Sequence, residues 1–333
     1  MNDKTANKPF LLKPAAKDYL WGGQRLNDDF SKGIPLDPLA ETWECSTHPA
    51  GPSIVDSGIF KGMELSAVLD KHPEYLGSHP RKIVQRGIPV LVKFIDAKKD
   101  LSIQVHPSDE YAAIHEQGQL GKSEMWYVID AEKGAKLVYG FNHDVTKQKI
   151  RESIADGSIE RDLRYVPVHR GDVFFIWPGT VHAIGAGTLL AEIQESSDLT
   201  YRLYDYNRIG KDGKKRELHI DKALAVLESG NNLAPRQPIR KLVYKPGYAS
   251  ELIGRCKYFE VDRLLINTEI VRNMAELQTA DDSFNVLLCI NGCADLFGDD
   301  ILIHIFKGDC IFIPANSVKL KLHGKAEFLK IQC

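Results

Sequence analysis

Four residues of the sequence have the side chains and the spacing to hold a divalent metal ion. Gln104 and His106 are separated by one residue, so on a β-strand their side chains point to the same face. Glu124 opens the next strand-like segment, and His182 follows a strand and a Pro-Gly turn. Two imidazoles, one carboxylate and one amide oxygen suit a borderline divalent ion and leave positions open for water or substrate. Zinc is the first candidate, and the donor set alone does not exclude manganese, iron or cobalt.

Short β-strands are predicted to position these residues. Runs rich in β-branched and aromatic residues are bounded by Gly, Pro, Asp or Asn, a pattern typical of a sandwich or barrel. The predicted strands are 90–97, 102–105, 125–129, 173–177 and 189–195. The sequence therefore predicts a mainly β fold that carries the candidate ligands.

Helices are predicted at fewer places. Ser108 can cap a helix that runs to Gln117, and Thr146 can open another that reaches Ala155. The strongest helical pattern is 216–227, whose apolar positions leave a polar opposite face and which a glycine follows as a stop. Residues 231–238 contain two prolines and two asparagines without periodicity, which predicts a domain boundary.

The second part of the chain repeats a pattern of the first part. The sequence GDVFFIWP at 171–178 is echoed by GDCIFIP at 308–314, one residue shorter. The repeat predicts two related β-barrel units, a metal-binding unit with helical insertions at 1–235 and a second unit at 236–333. The first copy continues PGTVH and ends on His182, whereas the second continues PANSV and has no histidine. A metal site therefore belongs to the first unit.

Composition excludes several classes of partner. The 333 residues include 43 basic and 45 acidic residues, for a formal net charge of -2. This balance offers no polyanion-binding surface, so nucleic acid is not an expected partner. Residues 1–9 are polar and no segment approaches about 18 consecutive apolar residues, so we expect no signal peptide, no membrane span and a cytosolic location. The six cysteines are predicted to be reduced core thiols, with a disulfide or a thiolate metal site as alternatives.

The candidate ligands resemble the motifs of a known family. An HxH-like pair, a downstream carboxylate and a PGxxH turn, in that order on a β scaffold, resemble the two cupin signature motifs. LSIQVHP at 101–107 resembles the motif of the type I mannose-6-phosphate isomerases, in which glutamine takes the place of the first cupin histidine. KSEM at 122–125, the segment 194–202, and YLWGG, ETWE and STHP between residues 19 and 49 also resemble that family. The resemblance covers residues from about 10 to 330, and the chain length matches the compact bacterial branch.

The resemblance implies a fold, a reaction and a set of site residues. The implied fold is mainly β, with two cupin-type barrels (a double cupin) and a few helical insertions. The implied reaction interconverts mannose 6-phosphate and fructose 6-phosphate through a cis-enediolate, with one divalent ion per chain that we expect to be zinc. The sugar phosphate is the expected partner, and we expect a monomer or a weak homo-oligomer. The implied metal ligands are Gln104, His106, Glu124 and His182, the implied catalytic arginine is Arg202, and the residues around the substrate are Lys93, Ser102 and Lys122.

One position departs from the family pattern. Many longer relatives have a histidine just before the KxEM element, and here that position is Gly121. A proton-transfer role for such a histidine cannot be carried over to this chain. Lys122, a metal-bound hydroxide or Glu195 remain candidates for the base, since a desolvated lysine near a metal has a lowered pKa. Arg202 is a permanent cation, so it can stabilise enediolate charge but cannot be the base.

The phosphate group needs an anion site made of side chains, because the sequence contains no Gly-rich phosphate loop. Lys93 with Ser102 on the adjoining strand is the predicted pair, and Arg208 is an alternative. Two other functions suit a cupin scaffold: an Fe(II) oxygenase, and a sugar-phosphate sensor without turnover. Gln104 in the first ligand position and the nearby cations favour the phosphorylated substrate over dioxygen chemistry.

Overall fold

The fold is built mainly from β-strands. The computed structural model describes residues 7–210, 213–230, 235, 237–271 and 273–333. Within these residues the strands are β1 Phe10–Lys13, β2 Ala15–Lys17, β3 Glu41–Cys45, β4 Ile54–Val55, β5 Val90–Ala97, β6 Ile103–Val105, β7 Glu124–Ala131, β8 Lys136–Phe141, β9 Leu163–Pro167, β10 Val173–Ile176, β11 His182–Ile184, β12 Thr188–Glu195, β13 Tyr201–Tyr204, β14 Val243–Lys245, β15 Tyr248–Arg255, β16 Glu260–Asn267, β17 Ala275–Leu277, β18 Asn285–Gly298, β19 Ile301–Phe306, β20 Cys310–Ile313 and β21 Leu320–Gln332. The five predicted strands correspond to β5, β6, β7, β10 and β12, with ends that differ by two residues or fewer.

The α-helices are short and lie between the strands. In the described part of the chain they are α1 Arg25–Asp28, α2 Leu65–Lys71, α3 Pro80–Ile83, α4 Asp109–His115, α5 Lys147–Asp156, α6 Ile220–Val226 and α7 Thr268–Val271. The predicted caps of α4 and α5 are confirmed, because the hydroxyls of Ser108 and Thr146 accept hydrogen bonds from backbone amides of the first turn. None of the described helices has the length and apolar character needed to cross a membrane.

The predicted helix at 216–227 is partly wrong. Helix α6 begins only at Ile220, because the side chains before it bond to β13 and to Asp205 just beyond that strand. Arg216 donates to Asp205 at 2.8 Å, and Nδ1 of His219 accepts from the backbone amide of Arg202 at 3.2 Å. Of the predicted boundary at 231–238, residues 231–234 and 236 lie outside the described residues, so the division of the chain at 235 stays a prediction.

Two antiparallel sheets form the first unit. One sheet has the order β10-β7-β12-β5-β3-β2 and the other has the order β13-β6-β11-β8-β9. A buried apolar cluster contains side chains from both sheets, including Ile95, Trp126, Leu190, Tyr139 and Ile184. The two sheets therefore face each other across a common interior, as in a barrel.

Alternation along the strands places the candidate site residues on the inner face. On β5, Val92 and Phe94 belong to a different buried cluster from Ile95, so Lys93 shares the inner face with Ile95. On β7, Trp126 lies inside, and Glu124 two residues earlier shares its face. The same period of two puts the side chains of Gln104, His182, Glu192 and Arg202 on the inner side of their strands.

A third, larger sheet combines the strands of the second unit with β1 and β4 from the start of the chain. Its order is β14-β15-β16-β21-β18-β20-β1-β4, with β17 beside β21 and β19 beside β18. Leu287 in the first half of β18 and Leu296 in its second half belong to one buried cluster, so this long strand folds over to enclose an apolar interior. The outer faces of β5, β7 and β12 pack against β16, β18, β20 and β21 in a further large cluster. The two units thus share a continuous hydrophobic core.

All six cysteines are free thiols. Cys45, Cys289 and Cys310 are buried, as predicted for core thiols, and Cys256 and Cys333 are partly buried. Cys293 is exposed, so the prediction of a core position is wrong for this residue. It lies beyond a β-bulge in β18, where the register shift between Cys289 and Asn291 turns the following side chains outward.

Candidate active site

Three side chains meet in a fully buried group inside the first unit. His106 comes directly after β6, Glu124 begins β7 and His182 begins β11. The Nε2 atoms of His106 and His182 lie 3.2 and 3.6 Å from the two carboxylate oxygens of Glu124. Potential ligand atoms of the three residues all lie within 4.8 Å of one another. Donors that converge at this separation can share one metal ion.

The ring nitrogens of this group fit a bound metal ion. Within the described residues, Nε2 of His182 and both ring nitrogens of His106 are buried and form no hydrogen bond. Nδ1 of His182 donates to the carbonyl oxygen of Thr180 at 2.9 Å, which leaves the lone pair on Nε2 facing the group. Buried polar atoms are normally paired, and a cation bound here would satisfy these lone pairs.

The protonation states suit metal ligation. Burial and the neighbouring Lys122 ammonium lower the pKa of His106 to about 3, and burial lowers the pKa of His182. Burial alone would raise the pKa of Glu124, but Lys122 and the two histidines outweigh it and hold that pKa well below its usual value. At neutral pH the imidazoles are therefore neutral and the carboxylate is charged, which are the forms that bind metals.

Gln104 and Lys122 connect the buried group to the open cleft. Gln104 stands directly opposite His182 in the β6–β11 pairing and opposite Arg202 in the β6–β13 pairing. Side chains that are directly opposite share one face of the sheet, so the Gln104 amide lies beside the His182 ring. The Lys122 ammonium lies 2.7 Å from Glu124 Oε1. Both residues also line the cleft.

The cleft has a volume of about 510 Å³, enough for a phosphorylated monosaccharide. It opens on the inner side of the first unit, in front of the buried histidines. The structure brings five of the predicted site residues to its wall, and these are Lys93, Ser102, Gln104, Lys122 and Arg202.

Arg202 is a half-buried cation without a carboxylate partner among the described residues. Its Nε donates to Ser102 Oγ at 3.3 Å, and its Nη1 donates to the carbonyl oxygen of Glu217 at 2.8 Å. Burial and the nearby Arg216 lower the pKa of Arg202, because both disfavour a second positive charge in the cleft. An anion bound beside this guanidinium would relieve that repulsion.

Lys93 is in a different electrostatic position. Its ammonium lies 3.0 Å from Glu192 and 3.9 Å from Glu41, and all three side chains are buried. Burial disfavours the charged lysine, but Glu192 and Glu41 outweigh it and raise the pKa of Lys93. The carboxylates are themselves held by indole N–H donors at 2.8 Å, Glu41 by Trp43 and Glu192 by Trp126. The charge of Lys93 is therefore already balanced.

Several residues of the cleft were missed by sequence reasoning. Most of them stand alone as common polar residues in the sequence, and only the tertiary fold brings them together. Glu41 is the exception, since it opens the ETWE segment that resembles the family. Glu192 was identifiable in principle, since it lies two residues before Gln194 in a predicted strand. The missed titratable residues of the cleft wall are Glu41, Glu116, Glu192, Asp198, Arg216, His219 and Lys222.

Comparisons with known proteins give the family. The model of the phosphomannose isomerase type I catalytic domain matches residues 10–139, and the model of the mannose-6-phosphate isomerase cupin domain matches residues 252–332. The mannose-6-phosphate isomerase ManA of Bacillus subtilis (strain 168) is 38% identical over 323 residues, which cover 96% of this chain and 97% of that protein. The chain belongs to the type I mannose-6-phosphate isomerase family.

Solved structures of this family have the same fold. The crystal structure of the mannose 6-phosphate isomerase from Bacillus subtilis matches with a TM-score of 0.87 and 34% identity, over 97% of this chain and 99% of that chain. A zinc-bound structure of a mannose 6-phosphate isomerase matches with a TM-score of 0.74 and 15% identity, over 97% of this chain and 98% of that chain. The predicted family and the predicted mainly β, double-cupin fold are confirmed.

Gly121, the position that departs from the family pattern, has a steric reason in this chain. A Cβ atom placed on Gly121 would come within 2.4 Å of the backbone nitrogen of Asp109 and 2.5 Å of the carbonyl carbon of Ser108. Real Cβ atoms do not approach backbone this closely, so a histidine at this position would need a displaced helix α4. The start of α4 occupies the space that a side chain at position 121 would need.

Proposed function

We propose that this chain interconverts mannose 6-phosphate and fructose 6-phosphate at a divalent metal site in its first unit. The observation that carries the proposal is the buried group of His106, Glu124 and His182, with unpaired ring nitrogens, behind a cleft lined by Lys122 and Arg202. Family membership supports the same reaction. We further propose a cytosolic enzyme that works as a monomer or a weak homo-oligomer.

The metal would be held by Gln104, His106, Glu124 and His182, as one ion per chain. We propose zinc, because two neutral imidazoles, a carboxylate and an amide oxygen suit a borderline ion, and a zinc-bound mannose 6-phosphate isomerase shares this fold. When bound, the ion supplies Lewis-acid polarisation of the sugar oxygens at C1 and C2, which acidifies the C–H bond to be broken.

Arg202 would stabilise the negative charge that develops on the substrate. Isomerisation of an aldose to a ketose passes through a cis-enediolate, so the site must favour an oxyanion in the transition state. The Arg202 guanidinium is half-buried, it faces the cleft and its charge has no carboxylate partner in the described residues. A permanent cation at this point lowers the barrier without exchanging the proton that is being moved.

Lys122 would carry the proton between C2 and C1. Its Nζ lies 2.7 Å from Glu124 Oε1 and lines the cleft. As the free amine it would accept the proton from C2, and as the ammonium formed in that step it would return the proton to C1. Glu195 is a weaker candidate, because its carboxyl accepts the backbone amide of Ser123 at 2.6 Å and faces Asp109 instead of the cleft. Geometry therefore favours Lys122 as the acid and base.

Lys93 and Ser102 would bind the substrate. Because Lys93 is already balanced by Glu192 and Glu41, this cluster suits the hydroxyl groups of the sugar better than its phosphate. The phosphate would lie at the rim of the cleft, near Arg216 and Lys222. These two cations pair with Asp205 and Glu116, but their side chains are more exposed to water than Lys93 and keep donors free for an anion. Arg208 donates to Asp205 and to the carbonyl oxygen of Asp100, so its donors are engaged.

The test is a coupled assay of fructose 6-phosphate formation from mannose 6-phosphate, before and after chelation. We expect turnover that disappears when elemental analysis shows the metal removed and returns when one equivalent of zinc is added. Glucose 6-phosphate, which differs at C2, is the matched substrate control. A metal-loaded protein that does not convert mannose 6-phosphate would overturn the proposed reaction, and full turnover by metal-free protein would overturn the metal role.

A further inference from the structure

A loop segment carries one of the residues on which the proposed chemistry depends and leads directly into a second. Residues 119–123 have no helical or strand conformation, yet they include Lys122 and lead directly into Glu124 at the start of β7. The backbone of this segment is held by hydrogen bonds to two other parts of the chain, residues 107–109 and 195–197. These bonds are Lys122 N to Pro107 O at 3.1 Å, Glu195 N to Ser123 O at 3.1 Å, Ser123 N to Glu195 Oε1 at 2.6 Å, Ser197 Oγ to Leu120 O at 3.0 Å, and Gly121 N to Asp109 Oδ1 at 2.9 Å.

Asp109, which accepts a hydrogen bond from the loop segment, also accepts one from a residue of the second unit. Its Oδ1 accepts the Gly121 amide, and its other oxygen, Oδ2, accepts the phenol of Tyr258 in a short hydrogen bond. Tyr258 lies in the turn between β15 and β16, in the second unit. The Lys257 ammonium lies 3.5 Å from the same Oδ2, but it is largely exposed and so contributes little.

Close contacts leave the loop segment at 119–123 little room to adopt another conformation. A Cβ atom on Gly121 would lie 2.4 Å from the backbone nitrogen of Asp109, so the segment rests directly on the first turn of α4. Glu195 lies next to Asp109 and holds the amide of Ser123, and burial together with the Asp109 charge raises the pKa of Glu195 to about 8. A protonated Glu195 can donate to the Asp109 carboxylate without adding a second charge beside it.

We propose that Tyr258 and Asp109 form a latch through which the second unit positions Lys122 and Glu124. The second unit contributes no His, Asp, Glu or Cys residue to the metal-capable group found among the described residues. Its contribution to the reaction is then mechanical: the Tyr258 phenol orients the Asp109 carboxylate, which in turn holds the backbone one residue before Lys122. Tyr258 and Asp109 are positioning residues, and their role in turnover rests on the proposed function.

The chain offers a matched control for this contact. Tyr127 in the first unit donates its phenol to Glu327 in the second unit at 3.0 Å, so it too is a tyrosine hydrogen-bonded to a carboxylate across the two units. Its side chain lies on the outer face of β7, in the core shared by the units, and the loop segment is not among its hydrogen-bond partners. Removing either hydroxyl deletes one bond between the units, but only Tyr258 is linked through Asp109 to Lys122.

The experiment compares Tyr258→Phe with Tyr127→Phe in the full-length, zinc-loaded protein. In Tyr258→Phe we expect kcat to fall about tenfold while KM for mannose 6-phosphate stays within about twofold, because one positioning hydrogen bond is lost. We expect hydrogen exchange of the peptide covering 119–124 to accelerate about tenfold, with the bound zinc retained. In Tyr127→Phe both kcat and the exchange of that peptide should stay within about twofold of the wild type.

A second variant tests the same contact in case the Tyr258→Phe protein does not fold. Asp109→Asn keeps the shape of the side chain but leaves one accepting oxygen in place of two, so it cannot accept from both Gly121 and Tyr258. We expect the same changes as in Tyr258→Phe. The double variant should be no slower than the slower single variant, as expected of residues that act as one unit. Equal effects of Tyr258→Phe and Tyr127→Phe, or unchanged exchange at 119–124 in Tyr258→Phe and Asp109→Asn, would overturn the latch. Absence of turnover in the wild type would reject the proposed function and leave the exchange result as a separate test.

Discussion

The two β units of this protein pair their equivalent strands in the same register, but they carry different polar residues at equivalent positions. In the first unit, Ile176 of β10 pairs with Glu124 of β7, and in the second unit Ile313 of β20 pairs with Asn285 of β18. The repeated GD motif precedes both β10 and β20, so Asn285 stands where Glu124 stands. A candidate metal ligand in one unit is a neutral amide in the other.

The same register extends the comparison to an ion pair. Lys93 pairs with Glu192 across β5 and β12, and at the matching place in the second unit Asp262 pairs with Lys330 across β16 and β21. Both are ion pairs, at 3.0 and 2.8 Å, with the charges exchanged between the strands. The strand framework is therefore kept while the inward side chains change, so the chemistry depends on a few positions and not on the fold.

The first prediction concerns the loss of a histidine from the first unit. We expect His106→Ala to abolish bound zinc and to lower kcat by more than about 1000-fold, because a buried ligand of the ion is lost. His304→Ala, in β19 of the second unit, is the control, since that side chain is exposed and pairs with Asp295. Elemental analysis and the coupled assay measure both variants. A zinc-replete His106→Ala protein would show that the ion lies elsewhere.

The second prediction separates charge stabilisation from metal binding. Arg202→Ala should keep its zinc and lose at least about 100-fold in kcat, because a donor aimed at the developing oxyanion is missing. Arg255→Ala, an exposed arginine that pairs with Glu260 in the second unit, should leave kcat unchanged. Zinc content is determined alongside turnover. Wild-type turnover in Arg202→Ala would remove this residue from the mechanism.

The third prediction compares the two ion pairs. Lys93→Met should lower the free energy of unfolding by about 3–5 kcal/mol, because it leaves Glu192 and Glu41 buried without a cation. Lys330→Met should cost about 1 kcal/mol or less, since the Asp262 pair is more exposed to water. Denaturant unfolding of the zinc-loaded proteins measures both values. If both variants lost the same free energy of unfolding, the two ion pairs would contribute equally to stability, and this prediction would be wrong.

The smallest predicted effect concerns the pH dependence of stability. Burial and Asp109 raise the pKa of Glu195 to about 8 from an ordinary 4.5, so the folded protein keeps a proton that the unfolded chain releases. This contribution to stability is complete below about pH 4.5 and is lost as the pH rises to about 8. Glu195→Gln should therefore flatten the decline of the melting temperature between about pH 5 and pH 8.

The second unit again supplies the control for this prediction. Gln194 pairs with Glu124, and Gln332 pairs with Asn285, so Cys333 stands where Glu195 stands. Burial raises the pKa of Cys333 well above its usual value, so this thiol stays neutral over the same pH range. Cys333→Ala should leave the slope of melting temperature against pH as in the wild type. An unchanged slope in Glu195→Gln would mean that another group releases the proton.

Local patterns in the sequence were enough to predict the strands and the helix caps. Runs rich in β-branched and aromatic residues, bounded by Gly, Pro, Asp or Asn, identified β5, β6, β7, β10 and β12. A hydroxyl before a polar first turn identified the starts of α4 and α5. The same local spacing selected the residues from which the buried metal-capable group is built, because an i, i+2 pair and a PGxxH turn are visible in one dimension. The repeated GD motif likewise revealed the second unit.

The tertiary structure alone decided which charges meet. Glu192 and Glu41 reach Lys93 only through the register of β12 and β3 on β5. The bond from Tyr258 to Asp109 joins residues 149 positions apart. In the predicted helix at 216–227, the first four residues are not helical, because their side chains bond to β13 and Asp205 instead. The strands, the helix caps and the candidate ligands could be predicted because they depend on neighbouring residues, whereas pairing of distant strands depends on packing of the whole core.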